Sequence, residues 1–318
     1  MEPTVSVVAL TYNHAAFLAH CLDSILAQQV GFPYEVVLHD DASTDGTTEI
    51  VRDYAARYPD VIRPIIQAEN QYSKERGRVT RIVYGAARGK YIALCEGDDY
   101  WTDPMKLQKQ VDAMEADPQA VGCFTDAWNE QDGVRTSYLD GIYAKPPASR
   151  TLGQREMVLG QNIPTCTFLF RRDALFPLPD ILNQAPVGDT VLYVHLTAKG
   201  HIRYLPVHTA VRAMHPGGVH SQSGRLSRIK VKEKLWPLLD GMTGGRYKAD
   251  LERMLDLMYP KEWEAAMEAG DQAVLKHIWP GMLARRRALG WSRPRTAMYF
   301  CKARLPRIGK VLSSVTGR

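Results

Sequence analysis

Residues 91–101 read YIALCEGDDYW. An apolar run of strand character ends abruptly in three carboxylates, Glu96, Asp98 and Asp99. A buried strand brings its last residues to the carboxyl edge of a sheet, where open α/β sheets bind ligands. Carboxylates packed this closely raise each other's pKa, and a divalent cation relieves the repulsion. Because all-oxygen ligation suits Mg²⁺ or Mn²⁺, the stretch predicts a site for one of these ions.

The same acidic turn could instead serve only to cap the following helix. Asp103 and Pro104 are a good N-cap and N1 pair. Leu107, Val111 and Met114 then mark an apolar face at helical spacing. Capping needs one acidic residue, whereas this turn holds three before the cap, so we favour metal binding.

Length and composition predict a globular protein with one large domain and an appendage, or two domains. The chain has 318 residues, and its apolar fraction of 45% is ordinary for a soluble protein with a sizeable core. It has no apolar run of about 18 residues and no basic N-terminal segment, so neither a transmembrane helix nor a signal peptide is predicted. Scattered cysteines without a Cys-x-x-Cys pair favour free thiols in a reducing cytoplasm.

The formal net charge of +5 conceals two regions of opposite charge. Residues 281–318 contain ten Lys or Arg and no Asp or Glu, whereas residues 1–280 carry a net charge of −5. The acidic body argues against nucleic-acid binding, which needs positive charge along the cleft. The basic tail predicts peripheral docking on the anionic cytoplasmic face of the membrane. A solvated tail is the alternative, because Pro294 and Pro306 interrupt any single amphipathic helix.

Strand and helix patterns alternate along the first part of the chain. Apolar runs of strand character are separated by stretches in which apolar residues recur at helical spacing. Such alternation with short connections predicts an α/β fold, a mainly parallel sheet with helices on both faces. The predicted strands are residues 5–10, 35–39, 61–66 and the run that begins at Tyr91.

The pattern loosens after Pro118. Polar residues rich in Gly and Pro predict an irregular connection over residues 129–150, and beyond about residue 225 only helical patterns remain. We therefore expect an α/β domain over residues 1–224 and a helical region with a basic tail over residues 225–318. Further strands are predicted at residues 120–125, 165–170 and 202–205.

A second predicted strand also ends in carboxylates, Asp40 and Asp41. Because strand ends share one edge of a parallel sheet, these residues could read a base or a sugar hydroxyl while the other acidic cluster holds a metal. Tyr12, at the end of the first strand, could stack on a nucleobase. The alternatives are helix capping around Ser43 and Asp45, and a partly buried aromatic at Tyr12.

Four basic residues lie between the third strand and the next helix. Lys74, Arg76, Arg78 and Arg81 match the charge of a diphosphate. A solvated basic face is the equally good alternative.

Two later positions carry possible chemistry. Asp189 follows a glycine at the start of a predicted helix, where it is either a functional carboxylate or an N-cap. His215 lies close to Gly217 and Gly218 and could place an imidazole on a metal or phosphate. A lone histidine is more often structural, so this signal is weak in isolation.

Taken together and in order, these residues resemble the family-2 inverting glycosyltransferases. Each motif is moderately specific, and the ordered set is highly specific. The resemblance covers about residues 4–222. The similar segments are VVALTYN at 7–13, LHDDASTDGT at 38–47, GKYIALCEGDDYW at 89–101, Gly188-Asp189 and RAMHPGG at 212–218.

The resemblance implies a GT-A fold and a nucleotide-sugar donor. It implies that Tyr12 and Asp41 face the base with Asp40 beside them, that Asp98 holds the metal, and that Asp189 is the catalytic base. The other candidates are Thr11, Asn13, Arg76, Arg78 and Arg81 for nucleotide binding, Glu96, Asp99 and His215 for the metal, and Trp101, Thr165, Gly188 and Arg212 for the donor or acceptor pocket.

The chain departs from the family pattern at three of these positions. Glu96 replaces the first Asp of the Asp-x-Asp motif, which leaves open whether it ligates the metal directly. Arg81 stands where many relatives have Asn. Gly188 stands where an acidic residue often precedes the base.

The implied reaction moves a sugar, with inversion, from a UDP- or dTDP-linked donor to a hydroxyl of a glycan or lipid-linked acceptor in bacterial surface-polysaccharide assembly. Inversion needs a base for the acceptor hydroxyl and a cation for the departing diphosphate. A sugar-phosphate nucleotidylyltransferase is one alternative, but it would need a glycine-rich loop where this chain has TYNH at 11–14. A non-catalytic binding protein of the same fold is the other, and the combination of Asp98, Asp189 and His215 argues against it.

Overall fold

The computed structural model describes residues 2–75, 77–140, 150–183, 185–215, 217 and 224–285. The chain divides into two compact units, Met1–Gln222 and Ser223–Arg318. The predictions made for Arg76, for Gly218 and for the tail beyond Arg285 fall outside the described residues.

Within the described part of the first unit, the strands form one sheet of ten. They are β1 (Val5–Thr11), β2 (Tyr34–Asp40), β3 (Ile62–Ile66), β4 (Tyr91–Glu96), β5 (Tyr100–Trp101), β6 (Ala120–Gln131), β7 (Val134–Ser137), β8 (Arg150–Leu152), β9 (Leu169–Arg171) and β10 (His201–Ala213). The order across the sheet is β3-β2-β1-β4-β9-β6-β10-β5, with β7 on β6 and β8 on β10.

The first four strands in this order are all parallel, and they align their carboxyl ends. Val5 of β1 lies opposite Tyr34 of β2 and Tyr91 of β4, so Thr11, Asp40 and Glu96 reach the same edge. The second half of the sheet is mixed, because β9 runs antiparallel to both β4 and β6. The α/β class is therefore confirmed, and the longer pairings, including that of β6 with β10, are parallel, whereas the short strands β5, β7, β8 and β9 pair antiparallel.

Seven helices are described in the first unit. Helices α1 and α4 pack on one face of the sheet, where Leu22, Ile25 and Leu107 share a fully buried core with Val7 and Ala93. The helices are α1 (Leu18–Leu26), α2 (Thr47–Arg57), α3 (Arg78–Ala86), α4 (Lys106–Glu115), α5 (Gln154–Val158), α6 (Arg172–Leu175) and α7 (Gly188–Leu196).

Several local predictions were wrong. Helix α4 begins at Lys106 rather than at Pro104, although the Asp103 side chain accepts the Met105 N–H at 2.9 Å, as the predicted cap would. Residues 165–170 are not one strand, because a 3₁₀ turn over Thr165–Thr167 precedes the short β9. The expected irregular connection after residue 129 begins as a hairpin, since β6 continues to Gln131 and pairs with β7.

The second unit is helical where it is described, as the sequence predicts. Its helices are α8 (Arg225–Met242), α9 (Lys248–Ala269) and α10 (Gln272–Ala284). Glu233 of α8 accepts bonds from Tyr259 of α9 at 2.9 Å and from His277 of α10 at 2.7 Å. Among the described helices of the whole chain, none is both long and apolar enough to cross a bilayer.

Candidate active site

The turns that follow β1 and β2 are bonded to each other. The Asn13 side chain accepts the Thr44 N–H at 2.9 Å, and the Ser43 hydroxyl accepts the Asn13 N–H at 2.9 Å. Asn13 has a φ of 56°, a left-handed conformation that asparagine tolerates better than most residues. The neighbouring Tyr12 side chain is left 46% exposed at the edge of the sheet, where a planar ligand could stack on it.

Asp40 and Asp41 serve different neighbours. Asp40 is fully buried, and its oxygens accept bonds from Ser43 and Thr48, so it organises the turn into α2. Asp41 accepts the N–H groups of Gln71 at 2.7 Å and Tyr72 at 3.0 Å, one on each oxygen. Each oxygen of Asp41 keeps a further lone pair for a ligand.

The basic segment predicted to bind diphosphate is partly paired with its own acids. Arg81 contacts Glu75 at 2.6 Å, and Lys74 contacts Glu69. Exposed pairs of this kind contribute little to stability, so a diphosphate could compete for both cations. Arg78 is exposed on the first turn of α3.

Asp98 meets two histidines at the end of β4. One of its carboxylate oxygens lies 3.1 Å from His215 Nε2 and 3.9 Å from His14 Nε2. The His215 ring packs on Phe17 with centroids 4.7 Å apart, which fixes its position from the side of α1. Burial lowers the pKa of His14, which favours its neutral imidazole.

Glu96 and Asp99 have surroundings different from those of Asp98. Asp99 is buried and accepts the Ala213 N–H at 3.1 Å, and burial with the charge of Asp98 raises the pKa of Asp99 to about 7. One Glu96 oxygen is buried without a hydrogen-bond partner among the described residues. Burial and the charges of Asp99, Asp189 and Asp98 raise the pKa of Glu96 well above its usual range.

These residues fit a cation that shares its coordination with a substrate. Within the described ranges no group of three or more His, Cys, Asp or Glu is disposed to hold a metal. Asp98 and His215 form an adjacent pair whose side chains are 19% and 18% exposed, so both can reach a ligand. Mg²⁺ is usually held by one or two protein ligands and substrate phosphates. The direct metal role predicted for Asp99 is not supported, because its carboxylate is directed to the backbone of β10.

Asp189 lies in the first turn of α7. The Thr165 hydroxyl, from the 3₁₀ turn, donates to an Asp189 oxygen at 3.3 Å. The N-terminal end of the helix favours the ionised carboxylate. Gly188 is exposed, and an added Cβ there would meet nothing within 4 Å, so the space beside Asp189 is open.

Trp101 belongs to the core and not to the predicted pocket. Its side chain is 4% exposed, and its Nε1 donates to the Cys166 carbonyl at 2.8 Å. Successive side chains of a strand point to opposite faces, and in β5 the Trp101 side chain points into the core. There it contacts the buried Lys106, whose Nζ lies 4.1 Å from the ring centroid. Arg212 does lie at the edge, with its guanidinium 5.6 Å from the Tyr138 ring centroid.

Sequence reasoning missed three residues of this region. His14 approaches Asp98, and its place directly after the TYN turn could have indicated this. Tyr84 of α3 and Tyr193 of α7 are buried near Glu96 and Asp189, and burial with these negative charges raises both phenol pKa values. Tyr193 follows Asp189 by four residues, so the helical period places both on one face.

Gly97 permits the close approach of β1 to the end of β4. A Cβ at this position would lie 2.9 Å from the Thr11 side chain and 3.0 Å from His14 Nδ1. We expect Gly97→Ala to lower the free energy of unfolding by about 1–3 kcal/mol and to displace Asp98, with reduced activity. Calorimetry and initial rates measure both effects.

Gly85→Ala is the matched control for this substitution. A Cβ at Gly85, inside α3, would meet nothing within 4 Å, so this change should stabilise the helix by about 0.5–1 kcal/mol. If both variants had the same melting temperature and activity, the tight contact at Gly97 would have no energetic consequence.

Comparison with known sequences identifies the family of this chain. The sequence model described as glycosyl transferase family 2 matches residues 6–176. An uncharacterized protein of Mycobacterium tuberculosis is 36% identical over 280 residues, covering 86% of this chain and 75% of that protein. The UDP-Glc:alpha-D-GlcNAc-diphosphoundecaprenol beta-1,3-glucosyltransferase WfaP of Escherichia coli is 26% identical over 200 residues, covering 62% of this chain and 71% of WfaP.

Solved structures share the fold at low sequence identity. S. aureus TarS 1-349 in complex with UDP-GlcNAc has a TM-score of 0.57 at 16% identity, covering 99% of this chain and 92% of that chain. A longer S. aureus TarS chain is matched over only 38% of its length. The mannosyltransferase PcManGT of Pyrobaculum calidifontis, in complex with GDP-Man and Mn²⁺, has a TM-score of 0.56 at 20% identity and covers 99% and 88%. These similarities confirm the predicted GT-A fold.

Proposed function

The chain belongs to glycosyl transferase family 2 and is a glycosyltransferase, and from this premise we propose that it transfers a sugar with inversion from a UDP- or dTDP-linked donor to a hydroxyl acceptor. One observation carries the proposal. Asp189 is bonded to Thr165, and Phe168, three residues further on, accepts the Leu94 N–H of β4 at 2.9 Å. Asp189 therefore lies beside the strand that is followed by Asp98, which meets His215. A base and a cation-binding pair are the two elements that inverting transfer requires.

Asp189 is the proposed general base. It would take the proton of the acceptor hydroxyl as the oxygen attacks the anomeric carbon from the face opposite the leaving diphosphate. The Thr165 hydroxyl donates to one carboxylate oxygen of Asp189 and so helps to orient the carboxylate toward the acceptor.

Asp98 and His215 would hold Mg²⁺ or Mn²⁺ together with oxygens of the donor. When bound, the cation neutralises charge on the departing diphosphate. One Glu96 oxygen is buried without a hydrogen-bond partner among the described residues, so a polar group of the substrate could satisfy it. Arg78 and Arg81, at the start of α3, would add positive charge beside the diphosphate.

The nucleoside would occupy the edge formed by β1 and β2. Tyr12 offers an exposed ring for stacking, and Asp41 can accept a hydrogen bond from the N3–H of uracil or thymine. PcManGT is in complex with GDP-Man, so guanine, which presents an N1–H, is the competing base.

The test is a transfer screen with UDP-, dTDP- and GDP-linked sugars in the presence of Mn²⁺ or Mg²⁺. We expect turnover of a UDP- or dTDP-sugar and a product whose anomeric configuration, read by NMR, is opposite to that of the donor. Retained configuration would overturn the inverting mechanism, and GDP bound much more tightly than UDP and dTDP in calorimetry would overturn the pyrimidine preference. Binding without turnover across acceptors would favour the non-catalytic alternative.

The acceptor is proposed to be a glycan or a lipid-linked sugar in surface-polysaccharide assembly. WfaP, which is similar over 200 residues, is named for a diphosphoundecaprenol-linked acceptor. A lipid-linked acceptor would give the basic tail, residues 281–318, a purpose in docking on the cytoplasmic face of the membrane.

We expect replacement of the ten Lys and Arg of residues 281–318 by Gln to release the protein from anionic vesicles. Each basic residue near an anionic surface contributes about 1 kcal/mol, so even half of them would give a measurable attraction. Co-sedimentation with phosphatidylglycerol vesicles at low and high salt measures the effect, and phosphatidylcholine vesicles are the control. Equal pelleting of both proteins would mean that the tail is not the anchor.

A further inference from the structure

Exposed apolar side chains lie at or just beyond the carboxyl ends of β1 and β3, on either side of the end of β2. Tyr12 after β1 is 46% exposed, Ile66 at the end of β3 is 38% exposed, and Tyr72 beyond β3 is 64% exposed. Large aromatic rings that remain this open cost free energy in water, and in a folded protein they mark contact sites when they cluster. The cluster lies at the edge where the proposed function places the nucleoside.

Asp41 links the two segments that carry these tyrosines. Its backbone N–H donates to the Thr11 carbonyl at 3.1 Å, directly before Tyr12. Its carboxylate accepts the N–H groups of Gln71 at 2.7 Å and Tyr72 at 3.0 Å. The backbone of Tyr72 is therefore held beside the carboxylate, while its ring is left free to contact a ligand.

The segment that carries Tyr72 is ordered by its own side chains. Gln71 is 7% exposed, and the Asn70 side chain donates to the Asp41 carbonyl at 3.3 Å and accepts the Ser73 N–H at 2.8 Å. Nothing in these bonds uses the phenol of Tyr72. The turn is thus built to present an exposed ring at a fixed distance from Asp41.

We propose that Tyr72 forms the second wall of the base-binding site, so that the donor's base lies between the rings of Tyr12 and Tyr72 with its edge on Asp41. This rests on the proposed function, since it requires a nucleotide-linked donor. A base between two rings loses both of its faces to aromatic carbon, and the carboxylate then selects bases that present a ring N–H. Uracil, thymine and guanine have such an N–H, whereas cytosine and adenine present an acceptor at that position.

The experiment compares Tyr72→Ala, Tyr72→Phe and wild type in the full chain by calorimetry with UDP and with inorganic pyrophosphate, both with Mn²⁺. Removing one stacked ring should weaken UDP binding by about five- to 150-fold, and Tyr72→Phe should keep most of the affinity. Pyrophosphate binding should stay unchanged in both variants, because it lacks a base. CDP should bind more weakly than UDP to wild type.

Melting temperatures separate this role from a structural one. Tyr72 is mostly exposed, and the bond from its backbone N–H to Asp41 does not depend on the side chain. Tyr72→Ala should therefore have the same melting temperature as wild type. Leu257→Ala, at a side chain 66% exposed on α9, is the control for removing an exposed apolar group. UDP affinity unchanged in Tyr72→Ala would overturn the inference while leaving the transfer function intact. Wild type that bound no nucleoside diphosphate would instead overturn the proposed function.

Discussion

The Asp189→Asn variant is expected to bind donor normally and to lose transfer by about 10²-fold or more. The amide has nearly the shape of the carboxylate and can still accept the Thr165 hydroxyl, which donates at 3.3 Å in the native protein. It cannot accept a proton from the acceptor at neutral pH, so the loss should fall on kcat and not on donor affinity. Single-turnover rates and calorimetry with UDP-sugar, run on the same preparation, measure the two quantities.

Asp173→Asn is the matched control for this result. Asp173 is an exposed carboxylate in the first turn of α6, so it shares the helical position of Asp189 without its surroundings. Thr165→Val should show an intermediate loss, because the base would remain but lose the bond that orients it. Near-normal turnover of Asp189→Asn would remove Asp189 from the mechanism and direct attention to Glu96, the other carboxylate nearby.

The strand ends that the sequence predicts at one edge do lie there, because strand order and register determine their position. Val5, Tyr34 and Tyr91 are in register, so the ends of β1, β2 and β4 had to meet at one edge. Asp98 and His215 are 117 positions apart. Their contact could be predicted only from the family resemblance, which includes the segment RAMHPGG at 212–218. Charge and periodicity alone would not have paired them.

The direction of individual side chains in the turns could not be predicted in the same way. Asp98 and Asp99 are adjacent in sequence, yet one meets His215 and the other binds the Ala213 backbone, because β10 lies across that side of the turn. Trp101 was expected in the pocket for its position after the acidic motif. The pairing of β5 with β10 turns it into the core instead.

Tyr72 was missed for a different physical reason. It lies in a segment without helical or strand periodicity, so no pattern marks it as functional. Its position is determined by Asp41, which accepts the backbone N–H groups of Gln71 and Tyr72. The second of these bonds joins residues 31 positions apart. Interactions of this kind depend on the folded path of a loop and leave no repeating signal in the sequence.

Asp98→Asn should abolish metal-dependent transfer while leaving the fold intact. The side chain is 19% exposed and its contacts are to His215 and His14, so an isosteric amide removes a negative charge without opening a cavity. A bound cation stabilises the charge that develops on the departing diphosphate in the transition state by several kcal/mol. We therefore expect the transfer rate to fall by about 10²-fold or more. Initial rates with Mn²⁺, and melting curves of the variant and wild type, measure activity and fold.

Metal binding itself distinguishes this role from simple support of the turn. Electron paramagnetic resonance of Mn²⁺ with UDP should show a bound ion in wild type and in Asp60→Asn, an exposed carboxylate in the loop after α2 that serves as control. Asp98→Asn should leave Mn²⁺ free at the same concentrations, because a neutral amide is a far weaker ligand for a hard cation than a carboxylate. His215→Ala should lower the affinity for Mn²⁺ less than Asp98→Asn does, because the imidazole adds a ligand but no negative charge. Full activity of wild type in excess EDTA would end the case for a metal-assisted reaction, and with it the assignment of Asp98.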